Sequence, residues 1–394
     1  MDNFISYTPT KVVFGRDTQL KAGELVSSFG GTRVFIVYGR GSALKSGLID
    51  TIKASVEEAG LTAELYGGAK ANPTLAHAEE GVRKALDFGA DFILAVGGGS
   101  TIDTAKAIAH GVGMKGKSLW DIWTGKVPLT ASAPVAAVLT IPAAGSEMSD
   151  SAVLTNEQTF QKRGLSTEFN RCRFAIMNPV LAMTLPKLQL ANGITDIMMH
   201  TLDRYFIPKP YCGLTDELAE GLLRNVITNG RMVVADPQNY DAMAEIMWSS
   251  SVSHNGLTGL GRAGKDFSVH AMGQALGGKY DFTHGATLSA VWPAWARYLY
   301  LKEDGLPRFS RYARKVWGVT LEDDKAAAEE GITRTEAYFK EIGMPVTITE
   351  LGVSLSDEEC IELAKDATRD GNRKLTLICP LGIEETAEIF RNAR

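Results

Sequence analysis

Residues 91–96 (DFILAV) form a continuous apolar run that passes directly into Gly97-Gly98-Gly99-Ser100, and a helical stretch over 101–110 follows. A strand with no polar alternation must be buried on both faces, which a parallel sheet covered by helices provides. The pattern recurs. Residues 33–38 (RVFIVY) end at Gly39-Arg40-Gly41-Ser42, and a helical segment covers 49–59. Residues 62–66 read as a strand, 75–88 as a helix and 134–141 (PVAAVLTI) as a further buried strand. This alternation predicts a doubly wound, mostly parallel α/β sheet. Residues 4–14 read as a candidate edge hairpin.

The texture changes near 178–186. Beyond it β-rich runs become scarce, and helical patterns cover 190–205, 216–234, 240–253 and 356–368. A chain of 394 residues is too long for one ordinary core. The reading is therefore two domains, an α/β domain over 1–187 and an all-α domain over 188–394.

Composition narrows the function classes. An apolar fraction of 45% with 22% charged residues is that of a soluble globular protein. A formal charge of −5 offers no basic field to nucleic acid or an anionic membrane, so a small molecule is the expected partner. Cys172, Cys212, Cys360 and Cys379 have no CxxC spacing, which predicts reduced thiols. The opening MDNFISY lacks the basic and apolar regions of a secretory leader. No apolar run approaches the roughly 20 residues needed to span a bilayer. A cytoplasmic protein is expected.

Gly97, Gly98, Gly99 and Ser100 sit where backbone amides converge on an anion, with the helix dipole behind them. The same sequence also suits a tight strand–helix connection without ligand, but the buried strand before it favours a dinucleotide phosphate. Asp103 either serves a ribose or fixes the turn. There is no GxGxxG fingerprint, because Thr101-Ile102-Asp103 follow Ser100. At the end of the 33–38 strand, Gly39, Arg40, Gly41 and Ser42 provide no carboxylate for a ribose 2′-hydroxyl. Arg40, Ser42 and Lys45 instead suit a 2′-phosphate, which predicts NADP(H) over NAD(H). Each basic residue alone would equally suit a solvated loop. Asn72-Pro73 and Thr140 are further candidate cofactor-side positions.

The chain has six histidines, and three of them fall in two short segments with metal-ligand character. Asp196 and His200 are four apart in a helical pattern and share a face. His270 opens a second segment. Thr283 is placed to cap a third helix that begins near His284. One Asp and three His could thus converge from three helices. Iron(II), zinc, cobalt and nickel all accept this donor set, and an Asp196–His200 ion pair without metal is the plain alternative. His77 and His110 lack ligand spacing, and His254 is a weaker candidate. Trp120, Trp123, Trp292 and Trp295 are candidates for an apolar substrate pocket or for core.

These residues together resemble the iron-containing, group III alcohol dehydrogenases, particularly the NADPH-dependent butanol dehydrogenase-like branch. The resemblance runs over nearly the whole chain. It is carried by GGGSTIDTAK at 97–106, TIPAAGSEMS at 140–149, TLPKLQLANGITDIMMHTLDRY at 184–205 and HAMGQALGGKYDFTHGATL at 270–288. It implies an N-terminal dinucleotide-binding domain, a helical metal-binding domain and an active site in the cleft between them. It further implies metal ligation by Asp196, His200, His270 and His284, iron(II) ahead of zinc, and a homodimer. The implied reaction is reversible hydride transfer between NADP(H) and a primary alcohol or aldehyde. A polyol dehydrogenase and a non-catalytic dinucleotide-binding relative are the alternatives. Two departures stand out. Gln274 occupies a position where many members carry His, which removes a titratable relay. Ala144 replaces a hydroxyl-bearing residue of the AAGSE turn.

Overall fold

The computed structural model describes residues 1–394 except 160, 263–265 and 303. The side chain of Ser42, a candidate phosphate ligand, also lies outside the described residues. The chain forms two compact units, Tyr7–Thr184 and Leu185–Arg394, and Met1–Ser6 belongs with the second. The sequence reading placed its boundary after residue 187.

The first unit is built on a six-stranded sheet, every neighbouring pair parallel. Its strands in chain order are β1 (Lys11–Phe14), β2 (Arg33–Gly39), β3 (Thr62–Ala69), β4 (Phe92–Gly97) and β5 (Val135–Leu139), with β8 (Phe174–Met177) after the hairpin described below. They lie in the order β1-β8-β5-β4-β2-β3. Alternation along each strand sorts side chains between the two faces. Val34, Ile36, Leu94, Val96, Val138 and Ile176 pack with Ile49, Ile52 and Val56 of the Leu48–Glu58 helix. Phe35 points the other way and stacks on Tyr66. The Leu75–Phe88 and Gly99–Gly113 helices pack together, and a Cβ on Gly81 would stand 2.4 Å from Ile108 Cδ1. Each fully buried aliphatic side chain in such a core contributes about 1.5–3 kcal/mol.

Two elements differ from the sequence reading. The edge hairpin over 4–14 does not form. Only Lys11–Phe14 is a strand, and it runs parallel to β8. Pro9 lacks the N–H that a hairpin ladder would need there, and Asp2 donates its N–H to the Gly261 carbonyl at 2.9 Å within the other unit. A hairpin does form farther on, between β6 (Ser151–Asn156) and β7 (Gln161–Ser166), paired antiparallel from Ser151↔Ser166 to Asn156↔Gln161. The polar composition of QKRGLS in β7 conceals it from pattern reading.

The second unit is helical. The Lys187–Tyr205 helix packs against the Gly213–Ala235, Tyr240–His254, Ser268–Tyr280 and His284–Leu299 helices. An aromatic core of Phe206, Trp295, Phe309 and Tyr312 lies beside them, with the Phe206 and Phe309 rings stacked at 4.2 Å. Thr283 occupies the N-cap of the His284–Leu299 helix, but its side chain makes no capping hydrogen bond. Among the described residues no helix is long and apolar enough to cross a membrane. All four cysteines are free thiols.

Candidate active site

From β2 the chain proceeds to β3 on one side of the sheet, whereas β4 is followed by β5 on the other. Reversal of this kind between two parallel neighbours opens a crevice beyond their C-terminal ends, where open α/β sheets bind ligands. Both glycine loops leave the sheet there, Gly39-Arg40-Gly41 after β2 and Gly97-Gly98-Gly99 at the end of β4. They are adjacent, since a Cβ on Gly39 would stand 3.8 Å from Thr101 Oγ1. Arg40 and Lys45 are exposed on this edge. Thr140, just past β5, donates its N–H to the Gly97 carbonyl at 3.0 Å. Asn72, past β3, adopts a left-handed φ of 57° and accepts from Lys162 Nζ at 2.9 Å.

Packing requires glycine within the turn itself. A Cβ on Gly98 would fall 2.8 Å from Ile141 Cβ, and one on Gly97 would fall 2.5 Å from Thr101 Oγ1. Gly98 is the N-cap of the 15-residue Gly99–Gly113 helix and supplies no capping side chain. The amides of its first turn, with Ser100 half-buried among them, are thus available to an anion. Ala144 faces the same turn, its Cβ 3.3 Å from a Cβ position on Gly99. Asp103 accepts from Ser146 Oγ at 2.6 Å and from the Val153 N–H at 2.9 Å. Of the two roles open to it, fixing the turn is the one with partners in the structure. Lys106, fully buried, reinforces it by donating to the Ser146 carbonyl at 2.7 Å, Ser146 Oγ at 2.9 Å and the Ser151 carbonyl at 2.8 Å.

The second group of candidates converges in the helical unit. Asp196 and His200 lie on the Lys187–Tyr205 helix, His270 near the start of Ser268–Tyr280, and His284 opens His284–Leu299. Asp196 Oδ1 stands 3.6 Å from His270 Nε2 and 3.7 Å from His284 Nε2. Asp196, His270 and His284 each offer one ligand atom, all within 4.8 Å of one another. His200 borders this triad. Its Nδ1 donates to the Asp196 main-chain carbonyl at 2.9 Å and lies 3.1 Å from Asp196 Oδ1. That bond fixes the tautomer and leaves Nε2 with its lone pair. The His284 side chain is 28% exposed, against 6–7% for Asp196, His200 and His270, so the group opens to a reactant on the His284 side.

Asp196 Oδ1 and His270 Nε2 are both buried without a hydrogen-bond partner. Leaving such atoms unpaired is costly, and in native proteins it calls for a missing ion or water. One carboxylate oxygen among imidazole nitrogens is a donor set that fits iron(II) or zinc. Ligand atoms about 2.1 Å from one tetrahedral ion stand about 3.4 Å apart, close to the 3.6 and 3.7 Å from Asp196 Oδ1 to the two imidazole nitrogens. The electrostatics of the site favour positive charge. Burial alone would push the Asp196 carboxyl up, but the neighbouring His200 and His284 charges outweigh it and hold it well below the usual carboxylate range. Burial would push the His270 imidazole down; its contacts with Asp196 and Asp203 prevail and hold it up at about 9. At 3.6 Å the Asp196 contact is a charge interaction rather than a hydrogen bond. Burial pushes His200 and His254 down.

One residue of this site escaped the sequence reading. Asp203 Oδ2 accepts from His270 Nδ1 at 2.5 Å. The available signal was its spacing, seven beyond Asp196 and three beyond His200 on one helix face. Gln274 is half-buried, one turn beyond His270. His254 packs edge-on against the His200 ring, centroids 4.0 Å apart. His77 stacks on Tyr66, and His110 bonds Ser132 and Asn170, away from these residues. The four candidate tryptophans pack against apolar neighbours. Trp292 packs on Tyr312 and Phe339, Trp295 on Phe206 and Phe309, and Trp120 and Trp123 belong to a cluster in the first unit.

Known proteins match this arrangement from end to end. The family described as iron-containing alcohol dehydrogenase matches residues 9–179, and its C-terminal counterpart matches 190–392. The chain is 35% identical to NADH-dependent butanol dehydrogenase A of Clostridium acetobutylicum, covering 98% of each chain. It is 32% identical to the NADPH-dependent aldehyde reductase YqhD of Escherichia coli, covering 100% of each. The crystal structure of NADH-dependent butanol dehydrogenase A from Thermotoga maritima superposes with a TM-score of 0.95 at 33% identity, covering 100% of this chain and 99% of that one. With glycine loops at a sheet switch point and a carboxylate–imidazole cluster in a helical unit, the chain belongs to the iron-containing alcohol dehydrogenase family and is an NAD(P)-dependent oxidoreductase acting between alcohols and aldehydes.

Proposed function

We propose that this protein interconverts a short primary alcohol such as butanol and its aldehyde, using NADP(H) in preference to NAD(H). One divalent cation, iron(II) ahead of zinc, is held by Asp196, His200, His270 and His284. The observation that carries this reading is the pair of unpartnered buried atoms, Asp196 Oδ1 and His270 Nε2, facing His284. When bound, the cation supplies a Lewis acid for the carbonyl oxygen.

The chain's own residues provide the rest. The amides at Gly98, Gly99 and Ser100 bind the pyrophosphate, and Asp103 with Lys106 holds that turn rigid against Ser146. Gly39, Arg40, Gly41 and Ser42 receive the adenosine ribose, with Arg40 and Lys45 favouring a 2′-phosphate. Relatives divide on this point, the Clostridium protein being named for NADH and the Escherichia coli protein for NADPH. Asn72 and Thr140 border the same cofactor. Gln274 does not titrate near neutrality, so the proton for the product oxygen comes from water or from a relay that passes Gln274 through water or another group. The net charge of −5 and the free thiols support a cytoplasmic, small-molecule enzyme, and family membership supports a homodimer.

The test is oxidation of NADPH and of NADH with butyraldehyde, by protein stripped of metal and then reloaded anaerobically with iron(II) or zinc. Activity that returns with metal and is faster with NADPH is expected. His284→Ala is expected to lose bound metal and turnover together; turnover at wild-type level in that variant would refute the ligand set.

A further inference from the structure

We infer that Asp203 is a positioning residue for the cation site, holding His270 in the tautomer and orientation that present its Nε2 to Asp196 and to a bound ion. The inference rests on the proposed ligand set. Asp196, His200 and Asp203 recur at spacings of four and three along the Lys187–Tyr205 helix, so they form one stripe on its surface. Seven residues of helix separate the first and last carboxylates by about 10 Å of rise. The His270 ring, supplied by a different helix, fits between them. Its Nδ1 is 2.5 Å from Asp203 Oδ2, and its Nε2 is 3.6 Å from Asp196 Oδ1.

The direction of that hydrogen bond decides the chemistry. The Asp203 oxygen accepts from the ring N–H, which places a proton on Nδ1 and turns Nε2 toward the ligand group. A carboxylate behind a coordinating imidazole both orients the ring and raises its basicity. Asp203 is 2% exposed. Burying a carboxylate there is costly unless a partner offsets it, and an apolar residue would fill the space without that cost. The helix itself is secured independently. Arg204 donates to the His200 carbonyl and, at 3.1 Å, to the Ser253 carbonyl.

The experiment titrates metal-free protein with cobalt(II) against a chromophoric chelator and records the visible cobalt spectrum. Wild type, His270→Ala, Asp203→Asn and Asp203→Glu are compared. The near-isosteric Asp203→Asn is expected to bind cobalt about 10–100-fold more weakly than wild type, with Asp203→Glu recovering most of the loss. An Asn variant within twofold of wild type and with an unchanged spectrum overturns the role of Asp203. His270→Ala separates the two readings. If it binds cobalt as tightly as wild type, the ligand set fails; if it loses cobalt while Asp203→Asn does not, only the Asp203 inference fails. Nitrogen-15 histidine spectra of the zinc-loaded wild type test the same point without any variant. His270 Nδ1 is expected to carry a proton there, and an unprotonated Nδ1 overturns the inference.

Discussion

Ser146 donates its hydroxyl to Asp103 Oδ1 across 2.6 Å, and this bond ties the loop after β5 to the first turns of the helix that begins at Gly99. Lys106 donates to the same hydroxyl at 2.9 Å. Asp103→Ala leaves the buried Ser146 hydroxyl and the Val153 N–H without their acceptor. Leaving a buried donor without its acceptor costs about 1–3 kcal/mol. Urea denaturation is expected to show that loss together with weaker NADPH binding. A loss below about 1 kcal/mol would mean that both donors find other acceptors.

The space at Gly39 permits a direct test of cofactor choice. A Cβ there would make only ordinary contacts, 3.8 Å from the Ala69 carbonyl and Thr101 Oγ1. Gly39→Asp therefore adds a carboxylate without a clash. It is expected to weaken NADPH by about tenfold or more, equivalent to about 1.4 kcal/mol, while leaving NADH unchanged or improved. An unchanged ratio of the two dissociation constants would remove this loop from 2′-phosphate recognition.

Gln274 shares the helix face of His270 and is half-buried. Gln274→His would introduce a group that titrates near neutrality. The pH profile of kcat for aldehyde reduction is expected to gain an inflection between about pH 6 and 8. Superimposable profiles would show that position 274 has no part in proton delivery.

His110 links stability to pH. It is fully buried between Ser132 Oγ at 2.8 Å and Asn170 Oδ1 at 2.9 Å, and burial pushes its imidazole down to about 4 from 6.5. The unfolded chain therefore takes up the proton first as pH falls. Stability from this residue is complete above the unfolded value, declines as pH drops from 6.5 toward about 4, and then levels off. The displacement corresponds to about 3 kcal/mol. His110→Gln is expected to flatten the denaturation free energy across that window by a similar amount relative to wild type. Parallel curves for the two proteins would exclude His110 as the source.

Local geometry explains what was legible in the sequence alone. The buried runs of β2, β4 and β5, the glycine turn before the Gly99–Gly113 helix and the shared face of Asp196 and His200 all arise from strand and helix periods that repeat within about a dozen residues. Tertiary packing decided the rest. The strand order that sets β2 beside β4 creates the crevice, and no local pattern encodes that order. β1 joins β8 from the far end of the unit instead of folding back on residues beside it. The Trp292 and Trp295 rings went to the core because aromatic burial drew them among Phe206, Phe309, Tyr312 and Phe339. Asp203 and His270 lie 67 residues apart, and only the packing of their helices shortens that separation to one hydrogen bond. The sequence by itself determined which residues could bear nucleotide and metal chemistry; the tertiary structure decided which of them meet, because long-range contacts depend on how whole elements pack.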